Sequence, residues 1–385
     1  GESSDDKDFV ERLLKKIDVM WSEVVLQPLQ AKNSEGEDDL VWVEERIRAV
    51  LGRSLDDKDR SSFKHWKHIE QDIAIVKQLL RYSLLTAHSD SESQSSEEEG
   101  GKVFIEYGAG KGLLGMSINL LDRTSSLLFV ERSGNRKKID KILAERNCRF
   151  QRFRLDIRHC YVPSLPFVAD VIASSETEKE GKKPRQHSVT IVAKHLCGVA
   201  TDMAILSLRH VTPSSSLHCG VAIATCCHHA CQYDDYVGRE MWLDRFGVTR
   251  EEFDVAKYWS AWATLDLAQA HLRKRKRGEG ENEGEVAEEK KISEEKKEED
   301  VEEEGEPSQH TSALADAKVK EVQNRYRDVI EARLTYEEMR DYGRKIKRVL
   351  DFGRLLYLKE VLRLRTTAVQ QYCEESYSPE AFLLL

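Results

Sequence analysis

Apolar residues recur at helical spacing near the N-terminus. Over residues 7–21, Phe9, Leu13, Ile17 and Met20 share one stripe, which predicts an amphipathic helix. A second helix is predicted from Ser62 to Tyr82, with Ile69, Ile73, Val76 and Leu80 on its apolar face and Ser61 or Ser62 placed to cap its start. The stretch SDSESQSSEEEGG then breaks all periodicity and reads as a flexible linker. From Lys102 the texture changes to short apolar runs alternating with helical patterns. VFIEY precedes a helix over Leu113–Leu121, and SLLFVE one over Asn135–Arg146. FQRFRLDI is followed by a polar loop, SSETEKEGKKPRQH. SVTIVAK leads into a helix near Thr201–Arg209, and CGVAIAT follows.

Strands that alternate with helices predict a parallel sheet covered on both faces, an α/β, doubly wound architecture. Further helical patterns run over Arg250–Leu272 and Ala317–Leu350, and VLRLRTTAV and FLLL are candidates for two closing strands. The expected organisation is therefore an N-terminal helical extension (1–88), a flexible acidic linker (89–101), the α/β core (102–272), a disordered basic and acidic insertion (273–316), and a basic helix with closing strands of the same domain (317–385).

Charge sharpens this picture. The whole chain has a formal net charge of −9, but residues 279–306 hold fifteen acids and four lysines, and residues 90–99 hold five acids and no base. With −11 and −5 confined to those two segments, the rest of the chain carries +7. Segments of such composition cannot bury enough apolar surface to fold. The foldable body is basic, as a phosphate-bearing partner requires. No apolar run approaches the roughly 20 residues that span a bilayer, and the N-terminus lacks signal-peptide character. Eight cysteines, two of them adjacent at Cys226 and Cys227, do not form a disulfide framework. Reduced thiols point to the nucleus or cytoplasm. The run RKRKR at 273–277 suits either nuclear import or an RNA contact.

The candidate chemistry starts at Glu106-Tyr107-Gly108-Ala109-Gly110-Lys111-Gly112, which follows a strand and opens a helix. Gly108 and Gly110 let the backbone turn tightly and approach a ligand, which then faces helix N-terminal amides. The G-x-G-x-G spacing with an acid two residues ahead is the form seen in class I methyltransferases, where the loop holds the amino-acid end of S-adenosylmethionine. Glu131 ends the next strand, where an acid accepts ribose hydroxyls. Asp156 ends the strand after that, within reach of an adenine amine. Glu106, Gly108, Gly110, Gly112, Glu131 and Asp156 are thus the candidate cofactor residues.

In place of an Asn-Pro-Pro-Tyr motif after the fourth strand stands Ala193-Lys194-His195-Leu196-Cys197-Gly198, and after the fifth Thr225-Cys226-Cys227-His228-His229-Ala230-Cys231. A hydroxyl acceptor needs a base that takes its proton as it attacks a methyl in line, a contribution of about 10²–10⁴-fold. Lys194 suits this role if its pKa is depressed, and His195 is the nearer match by intrinsic pKa. His228 or His229 is the candidate orienting partner. The CCHHAC segment is read as lining the active site rather than as a metal centre, because ligands so close in sequence rarely converge on one tetrahedral ion without help from Cys197 or Cys219. His65 and His68 are read as polar-face residues of the second helix.

EYGAGKG, VER with NRKKID, LDI, AKHLCGVATD, ATCCHH and WSAWAT together resemble the eukaryotic tRNA 2′-O-methyltransferase family that modifies the fourth nucleotide of the acceptor stem. The resemblance runs from about Lys64 to the C-terminus, apart from the acidic insertion and the loop after Ala173. It implies a Rossmann-like class I domain, S-adenosylmethionine as donor and a ribose hydroxyl of tRNA as acceptor. Neither a membrane nor a stable protein partner is expected. Members of that family carry zinc-finger modules ahead of this domain. No CCCH pattern or paired-finger spacing precedes Lys64 here, so neither fingers nor bound metal are expected in these residues. Two other readings fit the fold. A methyltransferase of proteins or small molecules would not need the fourteen Lys and Arg against eight acids of residues 317–366, and a non-catalytic RNA-binding relative could dispense with Glu131 or a glycine.

Overall fold

The computed structural model describes residues 4–26, 40–54, 63–87, 100–133, 138–176, 185–211, 213–214, 216–265, 325–365, 367–372 and 382–385. The insertion expected at 273–316, most of the linker expected at 89–101 and the centre of the polar loop after Ala173 lie outside these residues.

Seven strands form one sheet: β1 (Lys102–Tyr107), β2 (Ser126–Glu131), β3 (Phe150–Arg154), β4 (His187–Cys197), β5 (Leu217–Cys226), β6 (Val369–Gln371) and β7 (Phe382–Leu384). Their order is β3-β2-β1-β4-β5-β7-β6. The first five are parallel, β7 runs antiparallel to β5, and β6 antiparallel to β7. Central strands of such a sheet are covered on both faces and read as unbroken apolar runs. Ile105, Leu128, Phe129, Ile191, Val192 and Ile223 are accordingly fully buried. FLLL supplies β7, as its pattern predicts. VLRLRTTAV contributes only its last residue, Val369, to β6, because Tyr357–Val361 continues the preceding helix as a π-helical turn that buries Leu358.

Helices α1 (Ser4–Leu26), α2 (Val41–Ser54) and α3 (Phe63–Arg81) precede the sheet. Between its strands lie α4 (Leu113–Leu121), α5 (Lys138–Glu145), α6 (Val168–Glu176) and α7 (Val199–Ser207). After β5 come α8 (Arg250–Trp259), α9 (Arg327–Arg333) and α10 (Tyr336–Leu356). No described helix is long and apolar enough to cross a membrane. The sequence pattern does not announce α2 or α6. The stripe of α2, Val43, Ile47 and Leu51, sits among charged residues, and α6 buries only Val168 and Val171. On α3 the apolar stripe runs through Leu79, which is fully buried, with Leu80 only partly covered.

Helices α2 to α5 pack one face of the sheet and α6 and α7 the other. A third apolar cluster joins α1 to α8, α9 and α10 through Phe9, Leu13, Ile17, Trp242, Trp259 and Phe352. The Phe9 and Tyr326 rings stack there at 4.9 Å. The helix expected over Ala317–Leu350 is broken at Thr335, whose extended backbone and hydroxyl form a capping box with Glu338 and start α10 afresh.

Candidate functional site

The chain leaves the centre of the sheet leftward through β2 and β3 and returns to β4 on the other side of β1. In open sheets ligands bind outside the carboxyl ends of the strands at this change of order. The glycine loop, Glu131, Asp156 and the KHLCG and CCHH segments all lie at those ends.

Gly108, Gly110 and Gly112 have φ of +61°, +47° and +82°, a region that favours glycine. The amide of Gly108 bonds the carbonyl of Val130 at 2.9 Å, which ties the loop to the tip of β2. A Cβ on Gly112 would meet the Arg152 guanidinium at 2.8 Å, whereas one on Gly110 would point into open space. Glu131 bridges the two strand tips. Its Oε2 accepts from the Gly110 amide at 3.0 Å and its Oε1 from the amide and hydroxyl of Ser133, each at 3.0 Å. Burial alone would raise this carboxyl, but the amide bonds outweigh it and hold Glu131 below the usual range. Asp156 follows β3 and caps the next turn through the Arg158 amide at 2.9 Å. The amide of the preceding Leu155 bonds the carbonyl of Glu131 at 3.1 Å, so the two acids sit at neighbouring strand ends.

Glu106 has a different setting. It is buried, its Oε2 accepts from the Gly115 amide in the first turn of α4 at 2.8 Å, and burial, with Asp72 nearby, pushes it up to about 8. It therefore holds the loop to the helix as a neutral group near pH 7. Arg152, which the sequence pattern does not single out, supports the loop from below. It bonds the Gly110 carbonyl at 3.0 Å and the Asp140 carboxylate at 2.6 Å, over the Phe129 ring at 4.5 Å.

Pairing between β4 and β5 shifts register between Ala193 and Leu196, so Lys194 and His195 lie in a bulge. Bulges re-aim side chains. Lys194 reaches α3, with its Nζ 2.7 Å from Asp72 Oδ1 and 3.1 Å from the His68 carbonyl. Asp72 is fully buried, and burial raises its carboxyl despite the lysine. The His68 side chain is exposed, and the side chains of His65 and His195 lie outside the described ones.

His228 is fully buried, with Nε2 2.8 Å from Asp351 Oδ1, and no described group pairs with its Nδ1. Burial keeps it below the ordinary imidazole value even though Asp351 opposes this. Thr225 donates to the other oxygen of Asp351 at 3.0 Å. Arg354, also buried, bonds Asp202 at 2.8 Å and Asp351 at 3.1 Å, and adds Cys231 Sγ at 3.0 Å. This network fixes the loops after β4 and β5 to α10. His229, next in sequence, is exposed.

The sequence reading missed Asp72, Arg152, Asp351 and Arg354. For Asp72, Asp351 and Arg354 the signal is an ionisable residue on an otherwise apolar face: Asp72 beside Ile69, Ile73 and Val76, and Asp351 and Arg354 amid Leu350, Phe352 and Leu355.

A family model described as methyltransferase TRM13 matches residues 70–385, which covers the glycine loop, the whole sheet and both loops above it. The chain belongs to the TRM13 methyltransferase family. Among curated relatives, a Dictyostelium discoideum protein named tRNA:m(4)X modification enzyme TRM13 homolog is 30% identical over 220 residues, 54% of this chain and 36% of the relative. A Mus musculus protein of the same name is 25% identical over 359 residues, 83% of this chain and 63% of the relative. The TRM13 enzyme of Scheffersomyces stipitis is 27% identical over 208 residues, 47% of this chain and 46% of the relative. The chain thus spans less than two thirds of the length of each of these TRM13 proteins. No solved structure matches the chain.

Proposed function

We propose that the chain is a class I, S-adenosylmethionine-dependent methyltransferase that modifies the ribose 2′-hydroxyl of the fourth nucleotide in the tRNA acceptor stem. The observation that carries this is the bond from the Gly110 amide to Glu131 across the tips of β1 and β2, at the change of strand order. The parallel β1–β5 block closed by an antiparallel β7 supports the class I reading, and the names of the TRM13 relatives supply the substrate.

The residues present fit the donor. Open space faces Gly110, Asp156 lies just past β3, and the exposed Ser133 hydroxyl on Glu131 is the partner that a ligand hydroxyl replaces. Bound there, S-adenosylmethionine supplies an electrophilic sulfonium methyl. With the donor residues at the ends of β1 to β3, the acceptor enters over β4 and β5. Lys194 is engaged by Asp72, its Nζ 2.7 Å from Oδ1, and His228 is buried against Asp351. We therefore assign the proton-accepting role to His195 or the exposed His229, with His228 positioning its neighbour. The basic body of the chain binds the acceptor-stem phosphates.

Incubating unmodified tRNA with labelled donor, then mapping the nuclease-resistant phosphodiester, tests the reading. Resistance 3′ to the fourth nucleotide is expected, because a 2′-O-methyl removes the nucleophile that cleavage needs. Label on a base, or on protein and not on tRNA, overturns it.

A further inference from the structure

Three thiols meet at the tips of β4 and β5, beside the acceptor position but outside the roles assigned above. Cys197 Sγ lies 3.2 Å from Cys226 Sγ and 3.1 Å from Cys227 Sγ, and all three sulfurs fall within 4.8 Å of one another. From these positions we infer that Cys197, Cys226 and Cys227 form a zinc site whose fourth coordination position faces solvent.

The backbone brings them together from two strands. Cys197 and Cys226 are register partners where β4 and β5 end. Cys227 follows in a left-handed conformation, φ +46°, which turns its side chain toward Cys197 rather than onward with the chain. A non-glycine residue is strained there, so the surrounding structure must impose it. Gly198 keys the two loops together. Its φ of +55° favours glycine, and a Cβ there would meet the Ala230 backbone at 2.5 Å. The convergence of the thiols is thus built by two independent loops rather than by the closeness of Cys226 and Cys227 in sequence.

The donor set suits a soft ion. Thiolates select zinc among the common divalent cations, at Zn–S distances of about 2.3 Å. A tetrahedral ion at that distance spaces its sulfurs by about 3.8 Å, between the 3.1 Å contact and the 4.8 Å limit seen here. Each sulfur need move only a few tenths of an ångström to seat it. A disulfide, at about 2.05 Å, would need a larger closure and would leave one of the three sulfurs over. Burial is graded, with Cys226 buried, Cys227 half-buried and Cys197 exposed, so the ion has an entry path and an open side. Bound there, it would clamp the KHLCG loop to the CCHH loop.

Cobalt provides a readout separate from methyl transfer. The full chain, reduced and stripped with a chelator, is titrated with Co²⁺ alone and then with Zn²⁺. One Co²⁺ per chain is expected, with sulfur-to-cobalt charge transfer and the visible bands of tetrahedral cobalt, both bleached by one equivalent of Zn²⁺. Cys197→Ser and Cys227→Ala should each weaken binding at least 10-fold, while Cys148→Ser, at a thiol outside the cluster, leaves it unchanged. Circular dichroism checks that the variants fold, and Cys197→Ser, at an exposed position, preserves the buried packing. Absence of the bands in the unaltered chain overturns the site. So does their persistence in both cluster variants, or an intact mass two hydrogens low with two of these sulfurs joined in the freshly isolated protein.

Discussion

Lys194 Nζ and Asp72 Oδ1 are 2.7 Å apart, joining the bulge in β4 to the middle of α3 beneath the glycine loop. Removing one partner of a buried ion pair strands the other charge, at a cost of about 3–5 kcal/mol. Lys194→Ala should therefore lower the urea midpoint markedly as well as slow turnover. The Asp72→Asn/Lys194→Gln pair should recover much of the stability, because no lone charge remains. A double-mutant cycle in urea tests this. Additive single effects would show that the two side chains are not coupled. Full stability in the pair with turnover still reduced would place Lys194 at the acceptor.

Glu106 gives the same region a pH dependence. An unfolded glutamate ionises near its ordinary value, whereas the folded one holds its proton up to about 8. Its stabilising contribution is complete below the unfolded value and is lost as pH rises toward about 8. Glu106→Gln keeps an oxygen for the Gly115 amide and cannot ionise. The variant should be more stable than the parent at pH 8 by about 4 kcal/mol and nearly equal to it at pH 4.5. Denaturant melts across this range measure the difference. An unchanged slope of stability against pH would mean that Glu106 is ionised in the fold.

The sequence shows the frame better than the support. Periodicity is enough for β1 to β5, and the G-x-G-x-G spacing with Glu131 locates one half of the site because both depend on local backbone chemistry. What stays hidden depends on distant pairing. Lys194 looks like a free base until α3 brings Asp72 to it, and His228 looks like His229 until α10 delivers Asp351. The thiol cluster is also split in the sequence, with Cys197 meeting the Cys226-Cys227 pair only because β4 and β5 are neighbours. The site's polar groups come from helices on opposite sides of the sheet, and no local pattern encodes that meeting.

Deleting residues 279–306 should leave the fold and the methyl transfer intact. Those residues carry fifteen acids and four lysines, and such like-charge excess cannot support a core. The elements on either side already touch, with Arg325 3.5 Å from Glu251 of α8 and the Tyr326 hydroxyl 3.5 Å from the same carboxylate. A short glycine-serine linker therefore suffices. The midpoint of thermal unfolding should move by no more than about 2 °C, roughly what 0.5 kcal/mol produces in a domain of this size. Affinity for tRNA should rise as negative charge is removed. A collapsed midpoint would show that the tract has a structural role.

His228 and His229 should separate stability from chemistry. His228 has no exposed surface, and it hydrogen-bonds Asp351, which Thr225 and Arg354 also engage. Burial alone would raise Asp351, yet His228 and the arginines hold it well below the usual carboxylate range. Replacing His228 by Ala leaves a cavity and takes one partner from a buried carboxylate, so a loss of about 2–4 kcal/mol is expected. His229 is exposed in the turn that follows β5, where substitution changes stability by no more than about 0.5 kcal/mol. If His229 takes the ribose proton, His229→Ala should fold normally, bind donor and tRNA within a few-fold of the parent, and lose about 10²-fold or more in turnover. Single-turnover methylation at saturating donor and tRNA isolates that step from binding. Undiminished turnover in His229→Ala, with a large loss in His195→Ala, would transfer the role to the bulge of β4. Full turnover in both variants would leave no imidazole as base, and the reaction would then rest on positioning of the hydroxyl against the donor methyl.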